Sequence, residues 1–374
     1  MKVLQLSKFY PPERGGMESA VHELVGGLNG AGWATDVLCA HRDWRTVCEQ
    51  HDAGYRVVRA GSLGTLMSTS VSPALLAQVC LLASDYRLIH VHMPNPAAAM
   101  ALWLARPRGR VVVHWHSDVV RQQRALKLYE SLQCWLLHRA DLIVATSQPY
   151  AQASKALAPW QKKVAVVPLG IGDNARRVDA RRVAQLRAAY PDKKMVFSLG
   201  RMVAYKGFDV LIDAAALLPD DTVVVVGGGG PLLETHRAQV AARGLQAKVH
   251  LAGPIAEDDL PNYHHAADLF CMPSTTRAEA FGVAMLEAMA AGRPVVCSDI
   301  AGSALPWVNQ HGVTGYTVHP GAPRPLAEAI KHALADTDQL HRLGAAARER
   351  YLQHFTASTM IERFTAMYRQ LLAA

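Results

Sequence analysis

Cysteine is scarce in this chain and badly spaced for covalent or metal work. The six cysteines, Cys39, Cys48, Cys80, Cys134, Cys271 and Cys297, include no C-x2-C pair. They read as small buried hydrophobes in a reducing cytosol, not as disulfides or a zinc site. No stretch approaches the run of about 18 uncharged apolar residues that spans a membrane. The opening MKVLQLSKFYPP has only a short apolar run before Ser7 and Lys8, so it reads as a strand and not a signal peptide. Aromatic residues make up only 7% and charged residues 19%, against 50% hydrophobic, the balance of a soluble globular α/β protein.

At 374 residues the chain exceeds one ordinary core and suits two domains. Its net charge of +8 is uneven: residues 1–170 carry 18 Lys and Arg against 11 Asp and Glu, the remainder 21 against 20. A basic N-terminal half points to an anionic partner, either a phosphorylated substrate or an acidic membrane face. Nucleic acid is set aside because no helix-turn-helix, RNP or zinc pattern is present.

Short β-branched runs predict buried parallel strands at 3–6, 35–39, 56–58, 88–92, 110–115, 142–146 and 164–167, with helical segments between most of them. The alternation resumes with strands at 195–199, 222–226, 249–252, 268–272 and 295–298. Two doubly wound units follow, each with its ligand crevice at the carboxyl ends of its strands.

The most informative stretch is residues 274–294, STTRAEAFGVAMLEAMAAGRP. Glu279 and Glu287 stand eight positions apart, with Phe281 and Gly282 between them where a helix is expected to begin. Eight helical positions span at most about 12 Å, comparable to a ribose-diphosphate-hexose. A helix N-terminus offers unpaired N–H groups and a positive dipole, both suited to a diphosphate. One carboxylate would hold sugar hydroxyls and the other ribose hydroxyls. This stretch resembles the E-x7-E element of the GT4 glycosyltransferases. The resemblance implies the GT-B fold, two Rossmann-like doubly wound parallel-sheet domains facing a cleft. It divides the chain into an acceptor domain (1–171), a connection (172–194), a nucleotide-sugar domain (195–355) and a C-terminal helix returning to the first domain (356–374).

Four further segments carry the likeness. LGRMVAYKG places Arg201 and Lys206 after a strand, with Gly200 at its end, and these look like the family's cation pair on the leaving diphosphate. Gly15 and Gly16, before a helix, resemble the loop beside the donor phosphates. In VVVHWHSDVVRQ, His116 matches a family histidine near the transferred sugar. Ser117, Asp118 and Arg121 look like the acceptor-side residues of bacterial polysaccharide mannosyltransferases. VVVVGGGGP fails the dinucleotide pattern at its last glycine, since position 232 is Leu, and instead resembles the family's turn at Gly229. Ile255 resembles the residue whose backbone meets the nucleobase, and Ala280 and Val283 complete the expected donor contacts around Gly282.

The chain departs from the family at PLGIGD, where Gly172 stands in place of the usual Asp and Asp173 follows one position later. No D-x-D stands at a strand end, so no metal and no other cofactor is expected; Arg201, Lys206 and the helix near Gly282 would supply the positive charge. By resemblance the activity is retaining hexosyl transfer from a nucleotide diphosphate sugar, GDP-mannose first, to a glycan or polyprenyl-diphosphate-linked acceptor. Glu279 and His116 would orient the sugar. A nucleotide-sugar 2-epimerase and a non-catalytic nucleotide-sugar-binding protein are the alternatives. Residues 121–139 set Arg121, Arg124, Lys127 and Arg139 beside Leu126, Leu132, Trp135 and Leu136, a basic amphipathic helix suited to an anionic membrane surface.

Overall fold

Apolar β-branched strands need cover on both faces, and a parallel sheet with helices above and below supplies it. The computed structural model describes residues 2–13, 15–66, 69–119, 123–173 and 177–373, apart from the side chains of 66 and 123–128. The N-terminal strands are β1 (Lys2–Leu6), β2 (Ala34–Ala40), β3 (Val47–Gln50), β4 (Arg56–Ala60), β5 (Thr65–Leu66), β6 (Thr69–Ser70), β7 (Leu88–Met93), β8 (Arg110–Trp115), β9 (Leu142–Ala145) and β10 (Val164–Val166). Eight of them form one sheet, in the order β10-β9-β8-β7-β1-β2-β4-β3, and β3 runs antiparallel to β4. The remaining strands are β11 (Lys194–Leu199), β12 (Thr222–Gly227), β13 (Val249–Gly253), β14 (Leu269–Met272), β15 (Val295–Ser298) and β16 (Gly315–Val318). They form a parallel sheet in the order β13-β12-β11-β14-β15-β16.

Both sheets reverse their winding beside their first strand, between β1 and β7 in one and between β11 and β14 in the other. In doubly wound sheets that switch point opens the ligand crevice. The loops leaving β11 and β14 therefore meet there, and they are the loops that carry Lys206 and Glu279.

The helices between strands in the first half are α1 (Gly16–Gly30), α2 (Pro73–Leu82), α3 (Pro96–Ala105), α4 (Gln123–Arg139) and α5 (Gln148–Ala153). Ser72, Asn95 and Ser147 cap α2, α3 and α5 with their side chains, each followed by Pro within the first turn. The second half holds α6 (Ala180–Ala188), α7 (Phe208–Ala215), α8 (Leu233–Ala242), α9 (Leu260–Ala266), α10 (Val283–Ala290), α11 (Leu305–Val308), α12 (Pro323–Ala335) and α13 (Thr337–His354).

The chain divides into two units, Met1–Gly172 with Ala357–Ala374, and Asp173–Thr356. The C-terminal helix (Ala357–Ala373) belongs to the first unit because its stripe of Met360, Phe364 and Tyr368 is buried there against Val3, Leu24, Leu28, Leu88 and Val112. Each such side chain contributes about 1.5–3 kcal/mol on burial. The stretch 172–194 contains α6, which joins the second unit through Arg182–Asp259 at 2.9 Å and Arg187–Asp268 at 2.7 Å. Asp173 opens that unit, its carboxylate held by both terminal nitrogens of Arg348 at 2.9 and 2.6 Å. Three cysteines depart from the expectation of burial: Cys48, Cys80 and Cys134 are exposed, on the open edge strand β3 and on the outer faces of α2 and α4.

Candidate active site

In the second unit, the two loops at the switch point are joined by the N–H of Thr275, which donates to the Tyr205 carbonyl at 2.8 Å. Lys206 and Glu279 then meet as an ion pair, Nζ to Oε2 at 2.6 Å, with only 13% and 10% of their side chains exposed. Ser274 Oγ donates to the same carboxylate oxygen at 3.0 Å, and Ser303 Oγ donates to the Glu279 backbone carbonyl at 2.6 Å. Burial works to lower the Lys206 pKa, but the Glu279 carboxylate, with Tyr205 and Glu287 behind it, outweighs burial and holds the ammonium above its ordinary value. The lysine is a fixed cation. Its stem lies along bare backbone: a Cβ on Gly200 would stand 3.1 Å from Lys206 Cε.

Gly282 caps α10 at φ +87, and a Cβ there would meet Leu305 at 2.6 Å, so both backbone and space require glycine. No side chain caps this helix, so its first N–H groups have no side-chain partner. Ala280 accepts from the N–H of Ala304, Phe281 is buried, and Val283 begins the helix. Glu287 lies on α10, whereas Glu279 precedes the helix on the β14 loop; Glu287 is met by the buried His264, Nε2 to Oε2 at 3.4 Å. Arg201 is exposed on the β11 loop. The next residue, Met202, donates its N–H to the Gly229 carbonyl at 2.8 Å. Ile255 packs over Gly227, the last residue of β12. A cavity of about 560 Å³ opens at the free edge of β13, lined by Arg182, Tyr190, His250 and Tyr263 among others, and it shares no residue with this set.

In the first unit, Gly15 and Gly16 start α1, and the Glu18 carboxylate folds back over Gly15. Burial raises the Glu18 pKa, against the opposing pull of its own backbone N–H and of Lys8. Sequence reading missed this glutamate. His116 follows β8 and is 7% exposed. Strand register sets it above a buried polar layer: Gln5 pairs with His90 across β1 and β7, and His92 pairs with His114 across β7 and β8. Period-two alternation places all five side chains on one face. The His114 and His116 rings stack at 4.0 Å, and Phe364 of the C-terminal helix lies 5.3 Å from His90 and from His114. Desolvation drives the pKa of His90, His92 and His114 well below the usual imidazole value and lowers that of His116 to about 3.

His90, His92 and His114 hold nitrogen atoms within 4.8 Å of one another, a spacing that suits a metal. Both nitrogens of His92 are already committed, however, at 2.9 Å to His116 and 2.8 Å to Gln5. Asp118 is bound inward, its Oδ1 accepting from the Trp115 indole at 2.9 Å and from Ser154 Oγ at 2.6 Å, so it anchors the loop that carries Ser117. Arg121 lies outside the described residues, as do the side chains of Arg124, Leu126 and Lys127. Farther along α4, Leu136 is buried and Arg139 is tied to Asp141 and to the carbonyls of Pro107 and Gly109.

Solved structures share the architecture throughout. HepE of Anabaena, in complex with UDP, aligns at a TM-score of 0.79 and 24% identity over 99% of this chain and 100% of that one. Sucrose-phosphate synthase from Thermosynechococcus elongatus aligns at 0.84 and 24%, over 100% of this chain and 99% of that one. The two sheets and their switch points are those of a GT-B glycosyltransferase. Residues 15–170 match the glycosyl transferase 4-like domain and residues 182–350 the glycosyl transferases group 1 model. O-antigen chain mannosyltransferase C of Escherichia coli is 34% identical over 100% of this chain and 99% of its own length. D-rhamnosyltransferase WbpZ of Pseudomonas aeruginosa is 33% identical over 96% and 93%. A GDP-mannose-dependent alpha-(1-6)-phosphatidylinositol monomannoside mannosyltransferase of Mycobacterium tuberculosis is 31% identical over 93% of each. The chain belongs to the group 1, GT4-type glycosyltransferase family and is a hexosyl-transferring enzyme.

Proposed function

We propose that this enzyme moves mannose from GDP-mannose, with retention and without a metal, to a lipid-linked or oligosaccharide acceptor of a bacterial surface polysaccharide. The observation that carries the reading is the buried Lys206–Glu279 pair beside the uncapped start of α10. A diphosphate placed there would draw Lys206 from Glu279 and free that carboxylate for sugar hydroxyls. Charge developing on the leaving diphosphate would then meet Lys206, Arg201 and the helix dipole, groups already in place before reaction. Glu287 would hold the ribose. The names of two relatives support a mannosyl donor, and the rhamnosyl relative sets the control.

The test is sugar transfer from GDP-mannose, GDP-rhamnose, UDP- and dTDP-hexoses to a polyprenyl-diphosphate glycan. Turnover fastest with GDP-mannose, and only with acceptor present, is expected. A product formed from donor alone would favour the epimerase. Activity should also survive excess EDTA, because the sequence has no D-x-D at a strand end. Loss restored by Mg²⁺ or Mn²⁺ would refute that part.

In this reading the enzyme meets its acceptor at an anionic membrane face. Among the described residues no helix is long and apolar enough to cross a membrane. On α3, however, Met100, Trp103 and Leu104 share one face and are 39–49% exposed, and Arg106 and Arg108 are exposed just beyond. An apolar face edged by cations suits the surface of an anionic leaflet. Co-sedimentation with vesicles containing anionic lipid should fall in Trp103→Ser/Leu104→Ser and at high salt. Equal sedimentation with neutral vesicles would sink the idea.

A further inference from the structure

Hydrogen-bond polarity in the first unit determines which nitrogen His116 can offer. Gln5 sits between two partners: its Nε2 donates to Tyr368 Oη at 3.3 Å, and its Oε1 lies 2.8 Å from His92 Nε2. With the Gln5 amide in this orientation its carbonyl oxygen only accepts, so His92 carries its proton on Nε2. His92 Nδ1 is then a bare lone pair, and it lies 2.9 Å from His116 Nε2. That contact holds only if His116 donates, with its own proton on Nε2. In a neutral imidazole one nitrogen is protonated, so Nδ1 of His116 carries a lone pair. This nitrogen has no protein partner among the described residues and is not among the fully sealed, unpartnered atoms. A second branch closes the chain, with Tyr368 Oη 2.5 Å from His90 Nδ1.

We propose that Gln5, acting through His92, is a positioning residue that locks His116 in its Nε2–H form and presents Nδ1 as an acceptor for a substrate hydroxyl. The proposal rests on the reading of His116 as a substrate-facing residue. It assigns that contact a direction: the sugar hydroxyl donates and His116 accepts, so His116 steadies an alcohol and supplies no proton to a leaving group. The polarity is carried by groups brought together from β1, β7, β8 and the C-terminal helix. None of them lies beside His116 in the sequence.

Long-range proton–nitrogen NMR on intact protein labelled with ¹⁵N-histidine reads the tautomer of each ring directly. The wild-type His116 signal should be that of an Nε2–H ring; an Nδ1–H ring overturns the proposal even if no variant folds. Gln5→Leu should mix the His116 tautomers and lower kcat by roughly 10- to 100-fold, the range typical of lost outer partners, with a smaller change in KM. An unchanged tautomer or unchanged kcat in Gln5→Leu also overturns it. Tyr368→Phe removes the hydroxyl that accepts from Gln5 Nε2 as well as the His90 contact, so it should loosen the same lock and mix the His116 tautomers. Should His116→Ala retain full turnover while the wild-type ring is Nε2–H, the role given to His116 in transfer fails, and the hydrogen-bond polarity stands apart from that failure.

Discussion

Below about pH 6 the first unit should lose stability at roughly 5 kcal/mol per pH unit, far more steeply than surface titration would give. Four imidazoles, His90, His92, His114 and His116, are 0–7% exposed, and burial lowers the pKa of each below its unfolded value. As pH falls through about 6.5, the unfolded chain takes up protons that the folded chain refuses, and the equilibrium moves toward unfolding. The stabilisation is therefore complete above the unfolded pKa and drains away on acidification, at about 1.4 kcal/mol per group per unit. Against a usual total of 5–15 kcal/mol, the transition should fall within a few pH units of neutrality. Urea unfolding followed by tryptophan fluorescence between pH 8 and 5 checks this, because Trp307 is the only one of the seven tryptophans outside the first unit. His114→Leu should reduce the slope by about one group's share. Both His114 nitrogens are buried without a partner, so that substitution should not destabilise the protein at pH 8. A slope near zero from pH 8 to 5 would refute the account.

Lys206→Ala should cost activity and stability together. Removing one preorganised cation from a developing diphosphate charge costs about 2–4 kcal/mol in the transition state, or roughly 10²–10³ in kcat. The same change strands the Glu279 carboxylate, whose side chain is 10% exposed, and breaking such a pair from one side costs about 3–5 kcal/mol of folding free energy. The two losses separate in Lys206→Ala/Glu279→Gln. Without a buried unpaired charge, that variant should regain most of the stability in urea and none of the rate. A single Lys206→Ala variant as stable as the parent would show that the pair is dispensable to the fold. Near-full turnover at saturating donor would remove Lys206 from the site.

Strands 3–6, 88–92 and 110–115 were legible because burial on both faces demands aliphatic and β-branched residues, and the chain supplies them around the polar Gln5, His90, His92 and His114. β3 was not: VCEQ is exposed at all four positions and owes its form to pairing with β4. β16, GYTV, follows a turn and is too short and mixed to declare itself. α6 was read as a connection because its sequence, ARRVAQLRA, buries only Leu186 and is held by arginines whose partners, Asp259 and Asp268, lie some 80 residues on. Motif reading found Lys206 and Glu279 separately and gave them different ligands. Their bond spans 73 positions, and nothing local announces it. The layer beneath His116 lay still further out of reach, since Gln5 and Tyr368 are 363 positions apart.

That separation also sets an order of events during synthesis. The second unit is an insertion, complete by Thr356, whereas the first lacks its last helix until the ribosome has added Ala357–Ala373. Domains generally fold as they emerge. Here the half begun first must finish last, and until then it holds Val3, Leu88 and Val112 uncovered and its histidine layer open to water. Ribosome-stalled chains ending at residue 356 should therefore protect residues 173–356 from protease while leaving β7 and β8 open to cleavage. For this molecule, the order in which the units complete their folding runs against the numbering.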